Sequence, residues 1–198
     1  MNSLPEGNAI VYCEGAFNTP NGKTAHGLVR FTKRYRVLSV VDSRYADKDD
    51  VGVLEGKANQ IPIFDSLKQA VKEADSHTHP ATHFVVGLAP DGGRLTSKAR
   101  QDAKNAISYG LNVDCGLHDY FSEDREMKKL AAQYGVKIRD IRKPPQIQQL
   151  HFFSGKIEAV RALKIAVLGT DSAVGKRTTA WLVVNGFKER GLRAEMIG

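Results

Sequence analysis

Residues 164–180 read KIAVLGTDSAVGKRTTA, and the order of residue types in this stretch decides what must surround it. Lys164–Leu168 is a short apolar run with β-branched residues, the pattern of a buried strand. Gly169 follows at once, and Gly175-Lys176 closes the turn. Downstream, Ala180, Val183, Val184 and Phe187 fall on one helical face, with Gly191 past its end. Strand, glycine-bounded turn, lysine, hydroxyl residues and helix are what phosphate binding requires. Glycines let backbone N–H groups converge, the helix start adds its dipole, and the lysine adds a charge. The predicted phosphate-binding residues are Gly169, Thr170, Asp171, Ser172, Ala173, Val174, Gly175, Lys176, Arg177, Thr178 and Thr179, with Lys176 reaching the terminal phosphates. Five residues separate Gly169 from Gly175, where the usual phosphate loop has four, and Arg177 stands where the magnesium-binding hydroxyl normally sits. Thr178 becomes the candidate metal ligand, displaced because one further residue on a helix turns a side chain by about 100°.

Upstream, strand-like and helix-like patterns alternate. Ala9–Cys13, Arg36–Val41, His83–Val86, Leu111–Val113 and Val136–Ile141 read as buried strands. Leu67, Ala70, Val71 and Ala74 make a helical stripe behind a cap at Asp65 or Ser66. Ala99, Ala103, Ala106 and Ile107 make a second stripe, ended by Gly110. Met127, Leu130, Ala131 and Tyr134 make a third, opened by Ser122 and stopped by Gly135. Such alternation predicts an α/β fold with a Rossmann-like, doubly wound, mostly parallel sheet. The expected organisation is a Rossmann-like domain over residues 1–142, then a linker over 143–160 with one short strand at His151–Phe153. The first βαβ portion of a P-loop NTPase-like domain occupies 161–198. Pro144-Pro145, a Gln-rich run and Gly155 break the periodicity in the linker. No internal repeat is present.

Composition excludes several classes. The 198 residues are 41% hydrophobic and 26% charged, as in ordinary globular proteins. No stretch approaches the ~18 apolar residues of a membrane span, and the first thirty residues lack the charged, apolar and small-residue succession of a signal peptide. A cytoplasmic location and no membrane partner are the default expectations. Two cysteines, Cys13 and Cys115, lack the spacing of a disulfide framework or zinc site and read as buried thiols. The formal charge is +7, yet Lys and Arg are scattered, not massed in a stripe with aromatics. Small anionic ligands explain the excess as well as nucleic acid does, so no nucleic-acid partner is expected. Homo-oligomerisation stays open.

Ligands of open α/β sheets collect outside the carboxyl ends of the strands. Glu14 and His118 would both stand there and are the candidate general bases. Asp42 follows the second strand as a ribose-binding carboxylate does in dinucleotide folds, but no GxGxxG precedes it, so it reads as a solvated strand end. Gly22-Lys23-Thr24 repeats the Gly-Lys-Thr signature after the first strand. Pro20 and Asn21 in that loop favour a surface turn with Lys23 near a helix start. Arg139 and Arg142 could clamp a carboxylate.

AIVYCEGAF, GKTAHGLVR, GLAPDGG, GLHDYF, IRDIRKPP and GTDSAVGKRTTA, in this order, resemble a bacterial and archaeal family long described as a domain of unknown function. Some of its members are described as D-glutamate N-acetyltransferases. The resemblance implies a Rossmann-like domain followed by a P-loop domain, and acetyl transfer from acetyl-CoA to the amino group of D-glutamate. The GTDSAVGK segment also resembles dethiobiotin synthetase, which implies an alternative: an ATP-dependent, magnesium-using ligase or kinase-like enzyme. A noncatalytic nucleotide-binding module is the third reading. Family proteins continue well beyond Gly198, so the chain reads as truncated at its C-terminus.

Overall fold

A computed structural model describes residues 5–47, 61–76, 78–171 and 174–197. Two compact units emerge, Met1–Pro145 and Gln146–Gly198.

The first unit is a six-stranded sheet of order β3-β2-β1-β4-β5-β6. Its strands are β1 (Gly7–Tyr12), β2 (Tyr35–Val41), β3 (Ile63–Phe64), β4 (His83–Val86), β5 (Asn112–Cys115) and β6 (Ile138–Asp140). Every pairing is parallel. The order reverses between β1 and β4, which makes their carboxyl ends the switch point of a Rossmann-like sheet.

Among the described residues, the helices between these strands are α1 (Lys23–Phe31), α2 (Leu67–Asp75), α3 (Ser97–Ser108) and α4 (Arg125–Tyr134). Ile10, Tyr12, Phe84, Val86 and Val113 pack with Leu67, Ala103, Ile107 and Met127 of α2, α3 and α4. Val11, Cys13 and Val40 pack instead with Ala25 of α1. Alternate residues of one strand thus serve opposite layers, as the pleat requires.

The helix signals are local and hold well. Ser66, not Asp65, caps α2 by accepting from the Gln69 amide. Gly135 closes α4 in the left-handed region at φ 66°, where glycine carries no Cβ penalty. Asp124, not Ser122, opens α4, taking the Glu126 and Met127 amides. Ser122 lies one turn earlier, its amide bound to Asp140.

The second unit contains α5 (Lys176–Glu189) and two short 3-10 turns. Residues 151–153 and 164–168, read as strands from their apolar content, form no ladder with any described residue. Composition alone makes an apolar run, whereas a strand needs a hydrogen-bonded neighbour. No described helix is long and apolar enough to cross a membrane.

Candidate functional site

The carboxyl edge of the sheet is built largely from carboxylates bound to main-chain amides. Asp42, just past β2, is 0% exposed, the reverse of the solvated strand end its sequence suggests. Its Oδ2 accepts from the Ala16 and Phe17 amides at 3.1 and 2.8 Å. Arg44 adds its own amide and a guanidinium fork. Burial pushes the Asp42 pKa up, but Arg44 and the backbone donors outweigh it, and the net shift is downward. Asp140 likewise holds the Phe121 and Ser122 amides after β5, and Asp119 holds the Leu95 amide after β4.

The loop after β1, where a dinucleotide fold offers amides to a pyrophosphate, is therefore filled by the protein's own Asp42. The start of α1 is filled too. Ala25 N donates to Gly87 O at 3.0 Å, and Lys23 N to Pro20 O. At Gly22 an added Cβ would lie 2.5 Å from the Ala16 carbonyl and 2.9 Å from that of Phe17. Lys23 stands at a helix start, as the sequence suggests, but Gly22 is buried against backbone carbonyls and is not part of the surface turn that Pro20 and Asn21 favour.

Glu14 and His118 both stand on this edge, after β1 and β5. Glu14 accepts from Ser43 N at 2.9 Å and Ser43 Oγ at 2.7 Å, and pairs with Lys98 of α3. Burial raises its pKa, but Lys98 and Ser43 prevail and hold it below the usual carboxylate range. That environment keeps Glu14 ionised and weakly basic. His118 packs against the loop after β4: its amide donates to Gly93 O at 3.0 Å, and an added Cβ at Gly93 would collide with its ring. Arg142 Nη1 lies 3.4 Å from His118 Nε2.

Arg139 does clamp a carboxylate, that of the chain's own Asp114, with Nε and Nη2 at 2.7 and 2.8 Å from its two oxygens. Tyr35 joins them through its hydroxyl. Sequence reading passed over Asp114, although a carboxylate between Val113 and Cys115 in a buried strand requires a partner. Arg139 sits opposite it in register on β6. Cys13 and Cys115 are buried, and burial pushes their thiols up to about 12 and about 11. They pack and do not ionise near neutrality.

The second unit's turn differs. Gly175 has φ 86° and immediately precedes Lys176, the first residue of α5. The first intrahelical bond here runs from Thr179 N to Gly175 O at 2.9 Å, so the amides of 176–178 lie ahead of it, and Gly175 at the cap position has no side chain to receive them. The Lys176 stem passes over Gly169, where a Cβ would come within 3.0 Å of it, and Nζ donates to the Asp171 carbonyl. The lysine thus folds back over Gly169 and Asp171, and a lysine behind a left-handed glycine at a helix start is a donor set that suits a phosphate group. Arg177, Thr178 and Thr179 are exposed in the first turn. Ser172 and Ala173 lie outside the described residues. Among those described, no group of three His, Cys, Asp or Glu could hold a metal ion.

Fold and turns define an α/β protein that carries a Rossmann-like unit and a P-loop unit. Residues 43–144 match a domain of unknown function described as the DUF1611 amino-terminal Rossmann-like domain, and residues 151–198 match its carboxy-terminal P-loop domain. The chain belongs to the DUF1611 family. It is 31% identical over 134 residues to a D-glutamate N-acetyltransferase from Pseudoalteromonas sp, covering 68% of this chain and 36% of that protein. A D-glutamate N-acetyltransferase from Tritonibacter scottomollicae is 26% identical over 141 residues, covering 71% of this chain and 40% of that one. The crystal structure of a DUF1611 protein from Anabaena variabilis superposes with a TM-score of 0.81 at 25% identity, covering 93% of this chain and 51% of that one. The chain thus spans well under two thirds of these relatives.

Proposed function

We propose that the protein carrying this chain transfers an acetyl group from acetyl-CoA to the amino group of D-glutamate, with the 169–179 turn holding a phosphate of the donor. The names of the two relatives carry the choice of reaction. The left-handed Gly175 ahead of Lys176 carries the choice of phosphate site. Acetyl-CoA supplies the acyl group as a thioester when bound. Lys176 Nζ would leave the Asp171 carbonyl for a phosphate oxygen, a stronger, charge-assisted bond. The first-turn amides of α5 would complete the cradle. Thr178 is the hydroxyl that would meet a magnesium ion if the phosphate arrives with one.

The amino group of the acceptor must shed a proton before its nitrogen attacks. Of the two candidate bases on the sheet edge, His118 suits that step, because Lys98 and Ser43 hold Glu14 below the usual carboxylate range and leave it too weakly basic. The adjacent Arg142 suits a substrate carboxylate.

The test uses the whole protein with acetyl-CoA and D-glutamate, following CoA thiol release. Release that depends on D-glutamate, and that falls by about 100-fold in His118→Ala, supports the reading. ADP formation from ATP in place of CoA release would replace it with the ligase reading, and ligand binding without turnover would make the chain a binding module.

A further inference from the structure

Three loops at the carboxyl edge of the sheet converge on the His118 ring. Two bonds clip the loop after β5 to the loop after β4: His118 N donates to Gly93 O at 3.0 Å, and Leu95 N to Asp119 Oδ2 at 3.1 Å. Gly93 is left-handed at φ 65°, and the ring lies where its side chain would be. An added Cβ would come 2.3 Å from Cδ2 and 3.4 Å from Nε2, so the imidazole rests this edge on a bare Cα. After β6, a turn closed by Lys143 N on Asp140 O at 3.2 Å carries Arg142. Lys143 itself is taken by Ser122 and Glu123. The basic group turned toward the ring is that of Arg142, with Nη1 3.4 Å from Nε2.

A guanidinium has donors and no acceptor. The ring nitrogen that faces it therefore presents a lone pair, and the proton of the neutral imidazole belongs on Nδ1. Both side chains are exposed, and among the described residues no carboxylate pairs with Arg142. A cation without a carboxylate thus stands 3.4 Å from a nitrogen able to take a proton. That spacing selects among amino acids. In an α-amino acid the ammonium nitrogen lies about 3 Å from the nearer carboxylate oxygen, whereas the γ-carboxylate of an extended glutamate lies about 5 Å or more away. One hydrogen bond of about 2.8 Å from Arg142 to the carboxylate and one from the ammonium to Nε2 close a ring with the first spacing. The second spacing would pull the guanidinium away from the imidazole.

We propose that Arg142 and His118 read the α-carbon end of the acceptor: the guanidinium takes the α-carboxylate, Nε2 takes the proton that the α-ammonium sheds, and Gly93 is the positioning residue that seats the ring. Arg142 shields Nε2 until a carboxylate draws it aside, so the base is uncovered by an acceptor that carries one. The proposal rests on the acetyl-transfer reading only in taking the acceptor to be an amino acid with two carboxylates, and it leaves the γ-carboxylate to residues other than Arg142.

Three probes separate the two ends: D-glutamate, D-α-aminobutyrate, which lacks the γ-carboxylate, and γ-aminobutyrate, which lacks the α-carboxylate. Their binding to the whole protein is followed through the imidazole nitrogen resonances of His118, which in the neutral ring should place the proton on Nδ1. Arg142→Gln, a change at an exposed side chain, should weaken D-glutamate and D-α-aminobutyrate alike, by about 20-fold, the worth of a charge-assisted hydrogen bond. γ-Aminobutyrate should bind parent and variant equally weakly. The reverse pattern, with D-α-aminobutyrate spared and γ-aminobutyrate weakened, would put the γ-carboxylate on Arg142 and overturn the proposal. So would equal loss for all three, no saturable binding of D-glutamate to the parent, or a neutral ring protonated on Nε2. For the seat, Gly93→Ala is compared with Gly92→Ala. Gly92 is also left-handed, at φ 72°, but an added Cβ there meets nothing among the described residues within 4 Å. Gly93→Ala alone should shift the His118 resonances and lower kcat for CoA release by about 100-fold with little change in the KM for D-glutamate. Equal effects at the two glycines would contradict the seat. If D-glutamate releases no CoA from the parent, the acetyl-transfer reading fails, while the binding pattern of the three probes still decides this one.

Discussion

Gly22-Lys23 and Gly175-Lys176 begin alike, each a glycine cap followed by a lysine at the first position of an α-helix. The structure gives them different surroundings. Around Gly22 the donors are spent: Asp42 takes the Ala16 and Phe17 amides, and Gly87 takes that of Ala25. A side chain at Gly22 would strike backbone carbonyls. Around Gly175 the backbone is left-handed, the cap residue itself offers no side-chain acceptor, and among the described residues an added Cβ meets nothing within 4 Å. The shared dipeptide announces a helix start, and whether its neighbours have already claimed the amides decides whether an anion can use it.

The first way to break this contrast is Asp42→Ala. It strips the acceptor from two buried amides and leaves Arg44 unmatched, and should cost about 3 kcal/mol in denaturant unfolding. A loss below half of that would mean the loop after β1 does not depend on Asp42. Because the folded pKa of Asp42 is depressed, its contribution is fully present above the unfolded value near 3.9 and is lost as pH falls through the folded one. Gly22→Ala should follow at about 2 kcal/mol, from collision with immovable backbone. Gly175→Ala should cost only about 1 kcal/mol, the strain of a left-handed L-residue, and equal losses at the two glycines would erase the distinction. The smallest effect concerns His83, whose pKa burial lowers from 6.5 despite the opposing pull of Asp114. Protonation is disfavoured in the folded state, so stability should be full above pH 6.5 and decline as pH falls below it. His83→Gln should flatten the melting temperature across that window, and an unchanged slope would remove His83 as its cause.

How legible these features were depended on how far apart their causes lie in the chain. His83–Val86 emerged as a strand with its bounds intact, and Gly135 as a helix stop, because apolar runs and left-handed glycines act within a few residues. The two-residue strand β3 has almost no local pattern and exists by pairing with Val40 and Val41. The burial of Asp42 depends on amides about 25 residues earlier in the chain, a distance at which spacing carries no signal. Asp114 was overlooked because its neighbours look apolar, and its partner Arg139 was noticed only as a generic clamp. Lys98 and Arg44, which set the state of Glu14 and Asp42, carried no motif at all. In the second unit the glycine turn and the helix start at Gly175-Lys176 were readable from sequence, whereas the strand expected at 164–168 needed a ladder that sequence cannot supply.

The most direct test titrates acetyl-CoA and ATP-magnesium into the whole protein and into its Lys176→Ala and Lys23→Ala variants, by calorimetry. If the carboxy-terminal turn is the phosphate site, Lys176→Ala should weaken the preferred ligand by about 30-fold or more, the worth of a charged hydrogen bond, and Lys23→Ala should bind as the parent does. Retained affinity in Lys176→Ala, or its loss in Lys23→Ala with folding intact, would contradict that assignment.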